Sequence, residues 1–442
     1  MKVITRAAML AAFGALASMS AAAQGQPDVK PMAGQVVAVR AGKLVDVVAG
    51  KVLLDQTILI SGERITAVGP SASVPVPAGA ERIDLSRATV LPGLIDAHVH
   101  LTGDPKLHGY QSLGVSDIRA AMYGVHAAKL TLDAGFTTVR NVGAGGFGDI
   151  ALRDAINEGE LPGPRMRVAG YAIGIRGGHC DNNLLPADYH YTENGVADGP
   201  WQARAKVREM AKYGADTIKI CASGGVLSKG DEAGAQQLTL EEMQAIVEEA
   251  HKLGRKVAAH AHGASSIRDA ILAGVDSVEH GSLIDDEGIR LARQKGTYLV
   301  MDIYNDDYIL QEGAKAGMLP ESLEKEKMVG QVQRDNFRKA FGAGVRMAFG
   351  TDAGVYPHGD NARQFYYMVK YGMTPMQAIQ AATINGAELL GWKDRVGSLS
   401  PGKYADLVAV NGDPLQDPAE LTRVTFVMKG GAVVKRTEPA AR

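Results

Sequence analysis

Leu91 to His100 reads LPGLIDAHVH. A Pro-Gly break precedes an apolar run through Leu94 and Ile95 that ends in His98 and His100, the pattern of a buried strand. Strand side chains alternate faces, so two histidines separated by one residue point the same way and can grip one metal ion. An HxH pair also arises by chance among core histidines, so the weight rests on what lies downstream.

Apolar, β-branched runs alternate with helical patterns beyond this stretch, the spacing of βα units. In order they are Val90 to Ala97, Thr137 to Val142, Arg167 to Ile173, Thr217 to Ala222, Lys256 to Ala261, Ser277 to Gly281, Tyr298 to Ile303 and Arg346 to Thr351. The intervening helices include LEEMQAIVEEAHKLG from Leu240, with Met243, Ile246 and Ala250 on one stripe and a stop at Gly254. The pattern predicts a (β/α)8 TIM barrel over residues 91–394, with active groups at the C-terminal ends of the strands. A doubly wound sheet is the competing fold, but no GxGxxG follows the first strand.

Short strands with turn signals occupy Val36 to Gly69, including a hairpin pattern around Ser61-Gly62-Glu63-Arg64. Similar β-rich pieces return at ADLVAVNG from Ala405 and VTFVMKGGAVVKR from Val424. Each is too small to bury a core alone, so residues 36–90 and 395–442 are expected to form one composite β-sandwich domain from both termini.

The first residues carry a basic start at Lys2 and Arg6, a short apolar run from Ala7 to Met19, and Ala21-Ala22-Ala23 before Gln24. This is the pattern of a signal peptide over residues 1–23, which predicts a periplasmic or secreted mature protein. The 442 residues are 46% hydrophobic with a formal net charge of -2, which gives no electrostatic case for nucleic acid or for a membrane surface. Cys180 and Cys221 are the two cysteines; both are expected near strand ends, where an oxidising compartment leaves pairing open, with two buried free thiols the expected state.

The polar residues of the strand ends converge on one chemistry. His98 and His100 close strand one, Lys219 sits inside strand four, His260 and His280 close strands five and six, and Asp352 follows strand eight. A lysine within an apolar strand either pairs with a barrel carboxylate or is carbamylated by CO2 into a bridge between metals. Imidazole and carboxylate ligands point to zinc. The expected arrangement is two divalent ions, one on His98, His100 and Asp352, the other on His260 and His280, with carbamylated Lys219 shared. Such a pair lowers the pKa of a bridging water and polarises a carbonyl, while Asp352 carries the proton to the leaving amine.

LPGLIDAHVH, GFTTVRN, the strand-four lysine, VAAHAHG, VEHG and GTDAG, followed by VGSLSPGKYADLVAV, resemble the binuclear metal-dependent amidohydrolase superfamily across nearly the whole mature chain. Within it the chain is most similar to the imidazolonepropionase-like and prolidase-like branch, and especially to bacterial ochratoxin-degrading amidohydrolases. The resemblance implies hydrolysis of an amide joining an acyl group to a C-terminal amino acid, with ochratoxin A as one substrate. It also implies a homo-oligomer, since similar barrels commonly assemble. Asn141 departs from the TTVRD of many relatives and carries no fixed charge there.

Further polar groups are expected at the rim. His262 shares a face with His260 and either reaches the pocket or bonds within its loop. His179, among the glycines of IRGGHC, is expected to contact the substrate and to donate to a developing oxyanion. Tyr304 and His358 are further candidates for the substrate carboxylate, as are Arg176, Lys229 and Arg363. The same ligand set serves lactone, cyclic-amide or phosphotriester hydrolysis, and a catalytically silent barrel that binds peptide or metal is the alternative outside enzymes.

Overall fold

The computed structural model describes residues 35–437, and the expected signal peptide lies outside them. The strands are β1 (Val36–Asp46), β2 (Lys51–Ser61), β3 (Arg64–Pro70), β4 (Glu81–Pro92), β5 (Leu94–Val99), β6 (Phe136–Asn141), β7 (Arg165–Val168), β8 (Thr217–Cys221), β9 (Lys256–Ala261), β10 (Ser277–His280), β11 (Tyr298–Val300), β12 (Leu407–Val410), β13 (Phe426–Lys429) and β14 (Ala432–Arg436).

One seven-stranded sheet is drawn from both ends of the described chain, in the order β14-β13-β12-β4-β1-β2-β3. Its apolar face gathers Val39, Ile58, Ile60, Ile83, Leu407 and Phe426 into a separate core. The hairpin falls where the sequence puts it, with Ser61 opposite Arg64 and Gly62 in the left-handed region at φ 55°.

The remaining strands are parallel, β5-β6-β7 in one sheet and β8-β9-β10-β11 in another, with helices between successive strands. Isolated bridges join these sheets: Ile173 pairs with Ile220, Leu299 with Met347, and Val99 with Ala353. The helix Leu240–Lys252 shows how sequence sets each covering element. Thr239 and Glu242 form a reciprocal capping box, Met243, Ile246 and Ala250 are buried, and the chain leaves through Gly254 at φ 70°.

Two expectations need correction. Val90 to Pro92 belong to β4 of the seven-stranded sheet, and Gly93 separates them from β5 at a point so tight that a Cβ would meet Thr137 Oγ1 at 2.1 Å. Arg346 to Thr351 carries one isolated bridge, Met347 with Leu299, rather than a regular strand. There Gly350 passes so close to its neighbours that a Cβ would lie 2.2 Å from Val300 Cγ1, and Asp352 turns the backbone to φ 56°. Among the described residues no helix is long and apolar enough to cross a membrane.

Candidate metal centre

The parallel strands all end on one side, and the polar residues stand there. His98 lies in β5, Lys219 in β8, His260 in β9 and His280 at the end of β10, while His100, His262 and Asp302 lie just beyond their strands. Nearby donor atoms form three groups able to hold a metal ion: His98, His100 and Asp352; His260, His262 and His280; and His280, Asp302 and Asp352. Because His280 and Asp352 recur, the three groups merge into one site.

Each ring is turned by a partner behind it. His98 Nδ1 donates to Glu279 Oε2 at 2.8 Å, His100 Nδ1 to the Gly143 carbonyl at 3.3 Å, and His280 Nδ1 to Asp302 Oδ1 at 2.9 Å. The proton is thereby fixed on Nδ1 and the lone pair of Nε2 is left for a ligand bond. His98 Nε2 and His100 Nε2 both lie 3.3 Å from Asp352 Oδ1. His262 lines the cavity, and its Nδ1 is tied at 2.8 Å to Ser282 Oγ beyond β10 rather than to a partner in its own loop. His260 reverses the pattern, with Nε2 facing the Gly224 carbonyl at 3.4 Å.

The electrostatics suit a cation. Burial pushes His100 down to about 3, and burial with neighbouring histidine charge pushes His260 and His262 well below the ordinary imidazole range. For Asp352 burial opposes ionisation, but His98, His100 and His280 outweigh it and hold the carboxyl well below its ordinary value. Lys219 Nζ is 3.5 Å from His98 Nε2, and burial lowers its pKa to about 8 against the pull of Glu279 and Asp352.

Two of these positions carry backbone strain. His280 at φ 67° and Asp352 at φ 56° are non-glycine residues in the left-handed region, a conformation that surrounding bonds must impose. Beside Asp352, Asp96 is fully buried among polar donors. It accepts from Thr351 Oγ1 at 2.6 Å, Asn361 Nδ2 at 2.8 Å and the His98 amide at 3.1 Å. Asn141 uses both ends of its amide: Oδ1 accepts from the Leu101 amide at 2.7 Å, and Nδ2 donates to the buried Asp149 at 3.2 Å. A second carboxylate there would oppose Asp149.

The site opens into a cavity of about 470 Å³, within the size range of small-molecule pockets. His179 lines it, stacked on His260 with ring centroids 4.0 Å apart. Cys180 and Cys221 also line it, and they form a disulfide with Cα atoms 6.0 Å apart, which corrects the expectation of free thiols. The loop after β7 folds back onto the end of β8 and brings them together.

Tyr304 and His358 are not in the cavity wall. Tyr304 packs edge-on against Tyr356 at 4.8 Å, and His358 spends its ring on the His100 carbonyl and Thr131. The basic candidates are engaged elsewhere: Arg176 with Asp198, Lys229 with Tyr110, and Arg363 with Asp360. Sequence reasoning missed Glu279, Arg140 and Asp302. Arg140 Nη2 binds Glu279 Oε1 at 2.8 Å inside the parallel sheets, and a charged residue within the buried run FTTVRN was the available signal.

Comparison with known proteins agrees with this geometry. The amidohydrolase family profile matches residues 89–434. Ochratoxinase of Aspergillus niger is 33% identical over 410 residues, covering 87% of this chain and 84% of the relative. Imidazolonepropionase of Pseudomonas aeruginosa is 25% identical over 383 residues, covering 83% of this chain and 89% of that enzyme. The crystal structure of a Xaa-Pro dipeptidase with bound methionine superposes with a TM-score of 0.86 at 40% identity, covering 90% of this chain and 99% of that one. With a family match across most of its length and histidine clusters able to bind metal at the strand ends, the chain belongs to the amidohydrolase family and is a hydrolase of amide or peptide bonds.

Proposed function

We propose that the chain is a metal-dependent amidase that releases a C-terminal amino acid from an acyl group, like a carboxypeptidase or dipeptidase, with ochratoxin A among its substrates. The observation that carries this is the merging of three donor groups through His280 and Asp352 beside a buried lysine at the cavity wall. Ochratoxinase and the Xaa-Pro dipeptidase among the relatives support the choice of bond.

His98, His100 and Asp352 would hold one divalent ion and His260 and His280 a second, zinc by donor type, with Lys219 shared as a carbamate. Such ions, when bound, lower the pKa of a water and polarise a carbonyl. The chain's own groups do the rest. Glu279 and Asp302 hold the His98 and His280 rings in the tautomer that presents Nε2. Lys219, buried and easily deprotonated, offers a neutral amine to CO2, forming a C–N bond and releasing a proton. Asp352, kept ionised, accepts the proton of the attacking water on a carboxylate oxygen and returns it to the leaving amine. His179 meets the substrate from the cavity wall, and His262 supports the wall.

The same reading takes residues 91–394 as a closed (β/α)8 barrel, with residues 36–90 and 395–442 as one β-sandwich domain. Bridges between the parallel sheets and across residues 346–353 support closure.

The test is a hydrolysis screen of N-acyl amino acids, dipeptides, lactones and aryl phosphotriesters, with metal analysis of the same sample. Amide turnover abolished by chelation is expected. Full activity in metal-stripped protein would refute the reading, and preference for lactones or phosphotriesters would move it to another bond.

A further inference from the structure

At the end of the parallel strands opposite the metal centre, arginines crowd a second hollow. Arg165 and Arg167 stand at the start of β7, and Asp216 directly precedes β8. Trp392, Arg395 and Tyr404 come from the segment that leads into β12. All six line one broad groove of about 1510 Å³, whose wall continues onto the β13–β14 hairpin.

The positive charges there are unevenly answered. Arg165 forks onto Asp406 at 2.9 and 3.2 Å. Asp216 takes its shortest bond from Arg153, at 2.7 Å, and also accepts the Val168 amide at 3.3 Å. What remains for Arg167 is one contact of 3.5 Å, and its Nε is buried with no hydrogen-bond partner among the described residues. Although Glu63 and Glu160 share the wall, no carboxylate among the described residues is in ion-pair contact with Arg395. Burial lowers the pKa of the Arg167 guanidinium, and the charges of Arg395 and Arg255 add to that against the pull of Asp216. Arginine does not escape such a position by losing its proton, so the shortage is one of negative charge and of acceptors.

Aromatic rings hold the cations in place around this gap. Arg167 lies 4.7 Å and Arg395 5.5 Å from the Trp392 ring. Arg64 and Arg165 lie 3.6 and 3.5 Å from the Tyr404 ring. Guanidinium groups kept on aromatic faces give up little freedom when they grip a ligand.

We propose that this groove is a binding site for a small oxyanion, a phosphate or a carboxylate, gripped by Arg167 and Arg395 beside Trp392. The planar forks of the two guanidinium groups match the paired oxygens of either group. Arg167 belongs to the parallel strands and Arg395 to the segment leading into the seven-stranded sheet, so a bound anion also ties those two parts together. The site goes beyond the amidase reading above and does not depend on it.

Trp392 supplies the readout. The chain has two tryptophans, and the other, Trp201, is 82% exposed, so Trp201→Phe leaves a single emission, from the groove. In metal-loaded Trp201→Phe protein, sodium phosphate, sulfate or succinate added at constant ionic strength should change that emission saturably, half-complete at about 1 mM or below, while sodium chloride should not. Response to phosphate and sulfate assigns the tetrahedral group, and response to succinate assigns the carboxylate. Arg395→Gln should weaken binding at least about tenfold at unchanged metal content, and Arg395→Lys should recover part of it. Arg167→Gln should act in the same direction, while the exposed Arg395 keeps the test free of any folding defect at Arg167. A response no different from that to chloride, or Arg395→Gln protein that binds as its parent does, would overturn the proposal.

Discussion

His98 and Glu279 are joined by a 2.8 Å hydrogen bond in full burial, and the far oxygen of Glu279 is bound by Arg140 at 2.8 Å. The carboxylate thus serves three buried neighbours, since Ser277 Oγ also donates to Oε1. Glu279→Gln keeps shape and burial but loses the charge, so metal affinity should fall about 10- to 100-fold. Glu279→Ala should instead destabilise the fold by about 3–5 kcal/mol, because it strands the Arg140 charge. Metal titration on the first variant and urea melts on the second separate the two effects; equal stability of Glu279→Ala and wild type would refute the second.

Lys219→Ala is expected to lose metal and activity together, by at least about 100-fold in kcat/KM. Short incubation with labelled bicarbonate should mark the wild type and leave the variant unmarked. A labelled variant, or one that keeps both ions, would show that the amine is not the bridge.

Glu326, in the wall of the same cavity as Lys219, gives a pH test of the fold. Burial, with Asp306 and Asp302 nearby, raises its carboxyl from the ordinary 4.5 to about 8. The folded state therefore keeps a proton that the unfolded chain releases. Stability from this group is complete below about pH 4.5 and is lost as pH rises to about 8. Glu326→Gln removes the titration, so it should match wild type at pH 4.5 and exceed it by about 2–4 kcal/mol at pH 8. Parallel stability curves would contradict the assignment.

The Cys180–Cys221 disulfide closes a loop across a sequence separation of 41. Replacing both residues by alanine should cost about 2–4 kcal/mol, and reductant should lower wild type to the same level without further effect on the variant. Thiol titration of the unfolded protein without reductant should find no free cysteine.

The HxH pair, the strand-four lysine and Asp352 were legible because strand periodicity and strand ends are local signals. Glu279 was not, although it adjoins His280: its partner His98 lies 181 residues away in sequence, and the left-handed turn at His280 brings both neighbours against that ring. The disulfide and the burial of Tyr304 and His358 depend likewise on how loops fold over one another. Arg346 to Thr351 read as a strand from their apolar run, yet Gly350 passes so close to Val300 and His98 that the segment is held by isolated bridging rather than a regular ladder.

The left-handed backbone at His280 and Asp352 sets durability against readiness. Each costs on the order of 1–3 kcal/mol, so a chain kept only for ruggedness would place glycine at both positions. In metal-free protein His280→Gly should relieve this backbone cost while stripping buried Asp302 of its 2.9 Å hydrogen bond, and the same change empties the site of its shared ligand. Tension in the peptide is thus held in reserve at the two side chains that knit the donor groups into one, and libraries that screen for heat tolerance alone will drift toward inert proteins at these two codons.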